Sequence, residues 1–177
     1  MRWLAAALVC CWPVALLAQV PEPDAFRMEA YRAPVPATLA GAVVVDAPAA
    51  HELWRSGEVA FIDVLPRAPK PANLPEGTIW REKPRQSIPG AIWLPNVGYG
   101  ALADETHAYF KAGLAAVTGG ALSHPVLIFC LEDCWMSWNA AKRARAYGYD
   151  TVYWFPGGTD AWSFHDFPTE PLEPFDQ

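Results

Sequence analysis

Cysteine and histidine are scarce in this sequence, and their arrangement argues against a metal centre. The chain has 4 cysteines and 4 histidines in 177 residues. Cys10 and Cys11 fall in an apolar N-terminal segment, which leaves Cys130 and Cys134 for the rest of the chain. This pair lacks the second pair of ligands that a zinc site requires, and Trp135 stands where a c-type haem motif needs histidine. The sequence therefore predicts no metal site.

Positive charge is also in short supply. The chain carries 13 Lys and Arg residues against 19 Asp and Glu residues, which gives a formal net charge of -6. Such an acidic balance argues against nucleic acid and against anionic membrane surfaces as partners. With 53% hydrophobic residues, the chain can still bury a substantial core. These features predict a single globular domain.

The only long apolar run lies at the start of the chain. Residues 1–18 combine Arg2, an apolar core from Trp3 to Leu17 and the small residue Ala18. This core is too short for a comfortable membrane span, so the pattern predicts a secretory signal peptide, with an uncleaved anchor as the alternative. After cleavage, no remaining apolar segment is long enough to span a membrane. Export would place the remaining chain in the periplasm, an oxidising compartment where disulfides persist.

Beyond the signal, we divide the chain into an extended arm (19–42), one domain (43–168) and a C-terminal tail (169–177). Apolar runs predict strands at 43–45, 59–64, 126–129 and 152–155, and residues 88–95 predict a turn that leads into a further strand. Helices are predicted at 46–56, 104–116 and 135–147, and a short one is predicted after Thr159, which we expect to cap it. Strands that alternate with helices predict an α/β domain with a mainly parallel sheet flanked by helices.

The segment 65–87 differs from its surroundings because it is rich in proline. Its prolines exclude long regular structure, and loops of this length are often functional. They are Pro66, Pro69, Pro71, Pro75 and Pro84.

The segment 130–134, which we call the cysteine loop, joins the strand at 126–129 to the helix at 135–147. A cysteine beside a helix N-terminus lies where the helix dipole favours a thiolate. Cys134 could then be a resolving thiol, a disulfide partner or a metal co-ligand. We expect a disulfide between Cys130 and Cys134, because of their spacing, their compartment and the absence of competing cysteines.

Two acidic residues lie between the two cysteines. The loop between them consists of Leu131, Glu132 and Asp133. Glu132 and Asp133 could tune the thiol or contact a cationic substrate, but for Asp133 we favour capping of the following helix. Asp63 ends a neighbouring strand, and we interpret it as a support that holds the cysteine loop through backbone hydrogen bonds.

Trp135 and Trp138 lie on adjoining turns of the predicted helix. They could form an aromatic wall for a planar ligand, although packing in the core is the preferred interpretation. None of the histidines has the spacing of a catalytic partner, and His165 is the nearest candidate by topology. No arginine follows Cys130 in its loop either, so activation of this thiol would rest on backbone amides and the helix N-terminus.

Five short motifs, in this order, resemble those of rhodanese-like domains over residues 43–168. They are FIDV (61–64), IPGA (88–91), VLIFC (126–130), GYDTV (148–152) and GGTDAW (157–162). The resemblance implies a rhodanese-like α/β fold. It also places Cys130 at the position of the family's catalytic cysteine, which carries a persulfide.

Cys130, Cys134 and Trp135 also match the C-x-x-x-C-W motif of a subgroup of exported proteins. This subgroup is associated with the catabolism of alcohols by enzymes that depend on pyrroloquinoline quinone. The resemblance implies a link to the pyrroloquinoline quinone pathway. It implies as partner a periplasmic quinoprotein dehydrogenase or a transport component.

The chain departs from typical rhodaneses at the cysteine loop. Glycine and arginine usually follow the catalytic cysteine, whereas Glu132 and Asp133 would oppose a thiolate and repel thiosulfate. Three functions stay open. The first is a sulfur carrier or sulfurtransferase, and the second is a dithiol/disulfide redox protein. The third is a non-enzymatic module that binds a quinone cofactor or a dehydrogenase, with a disulfide that only shapes the loop.

Overall fold

The computed structural model describes residues 19–81 and 83–176. The predicted signal peptide (1–18), with Cys10 and Cys11, lies outside this described part. Among the described residues, no helix has the length and apolar character needed to cross a membrane.

The domain is built on a five-stranded sheet with the strand order β1-β6-β5-β2-β4, and all of its strand pairs are parallel. These strands are β1 Val43–Val44, β2 Ala60–Asp63, β4 Ile92–Trp93, β5 Val126–Phe129 and β6 Val152–Phe155. Four helices flank them: α1 Ala47–Ser56, α2 Asp104–Thr118, α3 Trp135–Ala146 and α4 Gly158–Phe164. The predicted α/β class, with a mainly parallel sheet flanked by helices, is confirmed.

Two hydrophobic clusters fill the space between the sheet and the helices. Ile62 and Ile128 belong to one cluster, whereas Phe61 and Leu127 belong to the other. Because successive strand residues point to opposite faces, the two clusters lie on opposite sides of the sheet. The cluster of Ile62 and Ile128 is covered by α2 and α3, and the other cluster by α1 and α4. A sheet covered on both faces explains why its strands are apolar runs.

The helix ends follow from local chemistry. The side chain of Asp46 accepts a hydrogen bond from the Ala49 amide at 2.9 Å and caps α1, as predicted. Helix α3 ends one residue earlier than predicted, with Tyr147 at the capping position. The prediction that Thr159 caps α4 is wrong, because Gly157 takes that position and Thr159 lies inside the helix.

A second, two-stranded sheet joins the proline-rich loop to the tail. Strand β3 (Arg85–Ser87) pairs antiparallel with β7 (Glu170–Leu172). Beyond β7, the Phe175 amide donates to the carbonyl oxygen of Trp93 at 2.9 Å. The tail therefore binds along the β4 edge of the main sheet.

Candidate functional site

The order of the strands creates a crevice between β2 and β5. These strands are neighbours, and the chain leaves β2 toward β4 but leaves β5 toward β6, on the opposite side. In open parallel sheets, ligands and reactive groups gather at such a switch point, outside the carboxyl ends of the strands. Asp63 ends β2, and Cys130 follows β5 directly.

Cys130 and Cys134 form the expected disulfide. Their Cα atoms are 6.3 Å apart, within the usual range of about 4.4–6.8 Å for disulfides. Cys130 has a relative solvent accessibility of 0% and Cys134 of 2%, so a partner cannot reach either sulfur in this state.

Helix α4 holds the first half of the cysteine loop. The carbonyl oxygen of Cys130 accepts from the Thr159 amide at 3.0 Å, and the Thr159 hydroxyl is 3.4 Å away. The Glu132 amide donates to the carboxylate of Asp160 at 3.0 Å. Gly158 has a φ of +50°, and a Cβ there would come within 2.4 Å of the Cys130 oxygen. Only glycine permits this close approach.

A buried ion pair supports the loop from below. Arg85 Nε donates to Asp63 Oδ2 at 2.6 Å, and the Ser87 hydroxyl donates to the same oxygen at 2.5 Å. Arg85 Nη2 is 3.2 Å from the Thr159 hydroxyl and 3.5 Å from the Cys130 carbonyl oxygen. Burial raises the pKa of the Asp63 carboxyl. The positive charge of Arg85 and the hydrogen bonds that the carboxyl accepts lower this pKa and partly oppose the effect of burial, with Arg85 contributing most.

This geometry corrects the role that we gave to Asp63. Its side chain bonds to Arg85, Ser87 and the Leu65 amide rather than to the backbone of the cysteine loop. Within the part of the chain that the structure describes, the Asp63 side chain is linked to that loop through Arg85. The cysteine loop contains no arginine, as the sequence shows, but Arg85 of β3 comes within 3.5 Å of the Cys130 carbonyl oxygen.

The acidic residues of the loop face solvent. Glu132 and Asp133 are both exposed, and Asp133 adopts a φ of +51°. The prediction that Asp133 caps α3 is wrong, because the capping position falls on Cys134, and no side chain accepts a hydrogen bond from the first turn there. The carbonyl oxygen of Tyr31, in the arm, accepts from the Trp135 amide at 2.9 Å instead.

The arm also pairs with the second half of the cysteine loop. The Ala33 amide donates to the carbonyl oxygen of Asp133 at 3.1 Å, and Arg32 and Cys134 form an isolated antiparallel bridge. Leu131, between the two anchored halves, is partly buried against the core. The cysteine loop is therefore held by α4 on one side and by the arm on the other.

Trp135 and Trp138 are buried beneath the arm. Their rings are 5.4 Å apart between centroids, and both residues have at most 2% of their surface exposed. The indole nitrogen of Trp135 donates to the Pro34 carbonyl at 3.1 Å, and that of Trp138 donates to the Thr38 carbonyl at 3.2 Å. The rings thus pack in the core and anchor the arm, rather than forming an open wall.

Asn139 extends this anchorage along α3, a role that the sequence pattern did not predict. Its side chain exchanges two hydrogen bonds of 2.9 Å with the backbone of Arg27 and donates a third to the Gly98 carbonyl, also at 2.9 Å. One turn on, Lys142 Nζ is 3.3 Å from the Pro23 carbonyl oxygen. The spacing of Trp135, Trp138, Asn139 and Lys142 on one helical face is the only sequence signal for this contact.

No protein-family model matches the sequence, and no curated protein does either. Among solved structures, the 30 kDa polysulfide-sulfur transferase homodimer from Wolinella succinogenes is 21% identical and has a TM-score of 0.48, over 74% of this chain and 80% of that one. An EanB variant in complex with hercynine is 22% identical and has a TM-score of 0.51, over 80% of this chain.

A second EanB variant with hercynine is 23% identical, with a TM-score of 0.50. The chain matches only 34% of the length of either EanB variant. At these identities the likeness to the EanB variants concerns the fold alone, and it agrees with the α/β class that the sequence predicts.

Proposed function

We propose that this protein performs thiol chemistry with Cys130 and Cys134, as a carrier of electrons or of sulfur. One observation carries the proposal. The disulfide lies at the switch point of the sheet, between the end of β5 and the first turn of α3. Strand ends of this kind are where α/β proteins place reactive groups, and the helix N-terminus favours the thiolate that forms on reduction.

The redox step is a two-electron exchange. A thiolate of a partner dithiol attacks one sulfur of the disulfide, the sulfur–sulfur bond breaks, and the other cysteine leaves as a thiolate. The second thiolate of the partner then attacks the mixed disulfide. The partner leaves as a disulfide, and Cys130 and Cys134 gain two electrons and, in total, two protons.

The sulfur-carrier step starts from the reduced pair. The Cys130 thiolate attacks the outer sulfur of a persulfide donor. The sulfur–sulfur bond of the donor breaks, the rest of the donor leaves as a thiolate, and Cys130 becomes a persulfide. The Cys134 thiolate then attacks the Cys130 sulfur, hydrosulfide leaves, and the disulfide forms again. Thiosulfate should be a poor donor, because Glu132 and Asp133 are exposed and the charge of Arg85 is paired with Asp63.

Burial of the disulfide requires the loop to open before exchange. The α4 side is held by hydrogen bonds to Cys130 and Glu132 and by the close approach of Gly158. The arm side is held by two backbone hydrogen bonds, at Ala33 and Trp135. We place the opening at Tyr31 and Ala33, because these residues pair with the cysteine loop but belong to no strand of the main sheet, while the rest of the arm stays anchored on α3.

The proposed setting is the periplasm, where the protein would assist alcohol catabolism by quinoproteins that depend on pyrroloquinoline quinone. The support is the predicted signal peptide at residues 1–18 and the match of Cys130, Cys134 and Trp135 to the C-x-x-x-C-W motif. The partner would be a quinoprotein dehydrogenase or a transport component. Cell fractionation of the native host tests the location, and recovery of the uncleaved chain in the cytosol would overturn it.

A second candidate function is a binding module without catalysis, for a quinone cofactor or a dehydrogenase. The observation that favours it is the burial of both sulfurs, at 0% and 2% exposure. In this case the disulfide only fixes the shape of the loop.

Selective alkylation separates the two candidates. After reduction, Cys130 should react first with iodoacetamide, and faster than the same cysteine in the unfolded chain, because it lies among loop amides at a strand end. Cys130→Ser should abolish adduct formation with a persulfide or disulfide donor, and its matched variant Cys134→Ser should trap the adduct. If neither cysteine reacts faster than in the unfolded chain and both variants behave like the parent, the binding module is correct.

The opening step has its own test. Ala33→Pro removes the amide that donates to Asp133, so we expect faster reduction of the disulfide by a fixed concentration of dithiothreitol. Ala37→Pro is the control, since Ala37 is exposed in the same arm and its amide has no hydrogen bond within the described residues. Equal rates for the two variants would show that the arm does not limit access.

A further inference from the structure

Described residues of the proline-rich loop (65–81 and 83–87) line a cleft of about 560 Å³ beside β2 and β4. The residues that shape it include Pro69, Pro71, Trp80, Arg81, Lys83 and Trp93. Small-molecule sites in proteins are typically about 300–1,000 Å³, mostly apolar, and carry a few polar groups. This cleft has both the size and the composition of such a site.

Two tryptophans line the cleft, and Trp80 is the more exposed of the two. Trp93 is almost fully buried, and its indole nitrogen donates to the Leu65 carbonyl at 2.7 Å, which fixes the ring. Trp80 is half-buried on the loop. Prolines in the lining hold the backbone in few conformations, so little entropy is lost when a ligand enters. Surfaces of this kind favour a planar conjugated group.

Among the described residues, the charged side chains that line the cleft are cations, opposite in sign to the net charge of the whole chain. Arg81 and Lys83 are exposed and have no hydrogen bond or ion pair within the described residues, whereas Arg85 is already paired with Asp63. The described residues that line the cleft include no acid, and Glu173 lines only the adjoining hollow. In a chain with a net charge of -6, two unpaired cations beside an aromatic cleft favour an anionic ligand.

We infer that this cleft binds a planar, conjugated small molecule that carries at least two carboxylates. The conjugated part packs against Trp80 and Trp93, and the carboxylates form charge-assisted hydrogen bonds with Arg81 and Lys83. The inference rests on the binding-module form of the proposed function and names its ligand class. It involves no thiol step, so it is tested on the oxidised protein.

Naphthalene-2,6-dicarboxylate is the probe, with neutral 2-naphthylmethanol and aliphatic adipate as comparisons. Tryptophan fluorescence measures affinity, and the indole N–H signals of Trp80 and Trp93 in NMR spectra, assigned with Trp→Phe variants, locate the ligand. The dicarboxylate should bind more tightly than either comparison, and its binding should weaken with added salt. The signal of Trp154, in the core, should not move.

The Arg81→Gln/Lys83→Gln double variant should bind the dicarboxylate about tenfold more weakly, the effect of losing a charge-assisted contact. Arg55→Gln/Lys70→Gln is the matched control, since it removes the same charge from exposed residues that do not line the cleft. The control should bind like the parent.

Three results would overturn the inference. They are equal affinity for 2-naphthylmethanol, parent-like affinity of the Arg81→Gln/Lys83→Gln variant, and NMR shifts that leave Trp80 and Trp93 unmoved. If binding fails while Cys130 still alkylates selectively, the cleft inference is wrong and the thiol function stands. If binding holds and neither cysteine is selective, the module alone stands.

Discussion

The cysteine loop (130–134) and the proline-rich loop (65–87) follow the carboxyl ends of neighbouring strands, β5 and β2, but they are stabilised in opposite ways. The cysteine loop is short, closed by a disulfide, and held by Arg85, by α4 and by the arm. Most residues of the proline-rich loop before β3 are exposed, and its few backbone hydrogen bonds include that from Thr78 to Pro75, at 3.1 Å. The molecule fixes its sulfur atoms and leaves the neighbouring proline-rich loop exposed.

The largest expected effect comes from the ion pair beneath the cysteine loop. Arg85→Met leaves the Asp63 carboxylate buried and unpaired, so the free energy of unfolding should fall by about 3–5 kcal/mol. Lys83→Met, two residues away in the exposed loop, should change it by less than about 0.5 kcal/mol. Urea unfolding of both variants measures the difference. Comparable losses would mean that the two loops are not held differently.

Substitution of one glycine in or beside each loop tests how tightly the backbone packs there. Gly158→Ala adds a Cβ within 2.4 Å of the Cys130 oxygen at a φ of +50°, and we expect a loss of about 2–3 kcal/mol. Gly77 also has a positive φ, +80°, but nothing lies within 4 Å of an added Cβ, so Gly77→Ala should cost only about 1 kcal/mol. Thermal unfolding checks the ranking, and the reverse order would contradict it.

Reduction of the disulfide should have a moderate effect. A cross-link between residues four apart restricts the unfolded chain only slightly, so its loss should cost about 2 kcal/mol. Unfolding of the oxidised and reduced protein measures this value. The Cys130→Ala/Cys134→Ala variant, with and without reductant, controls for effects of the reductant itself. A loss large enough to unfold the domain would mean that the arm and α4 contribute little to the loop.

The smallest effect compares two isoleucines. Ile128→Val, in the buried strand that directly precedes Cys130, should cost about 1 kcal/mol because it leaves a methyl-sized void. Ile79 is 78% exposed in the proline-rich loop, so Ile79→Val should change the free energy of unfolding by less than about 0.5 kcal/mol. Chemical denaturation of the pair provides the measurement.

Local patterns allowed much of this architecture to be predicted. The apolar run at 126–129 gave the bounds of β5, and Asp46 with Pro48 marked the start of α1, because buried strands and helix caps leave local signatures. The position of Cys130 at a strand end followed from these elements.

Contacts between distant segments could not be predicted in this way. Strand β3 exists only through its pairing with β7, so no local pattern placed Arg85 against the cysteine loop. The failed cap at Asp133 has a similar cause. An arm carbonyl, from Tyr31, accepts from the Trp135 amide, and the loop takes a left-handed conformation that capping rules do not anticipate.

The anchorage of the arm has a consequence for the order of folding. Its hydrogen bonds to Trp135, Trp138, Asn139 and Lys142 span 101, 100, 112 and 119 residues. During synthesis, the arm emerges before α3 exists and has no surface to bind until most of the domain is complete. The entropic cost of closing a loop grows only slowly with its length. Docking of the arm is therefore delayed by the late synthesis of α3 rather than by the free energy of closing a long loop. The segment made early is therefore among the last to dock, and its docking marks the completion of the fold.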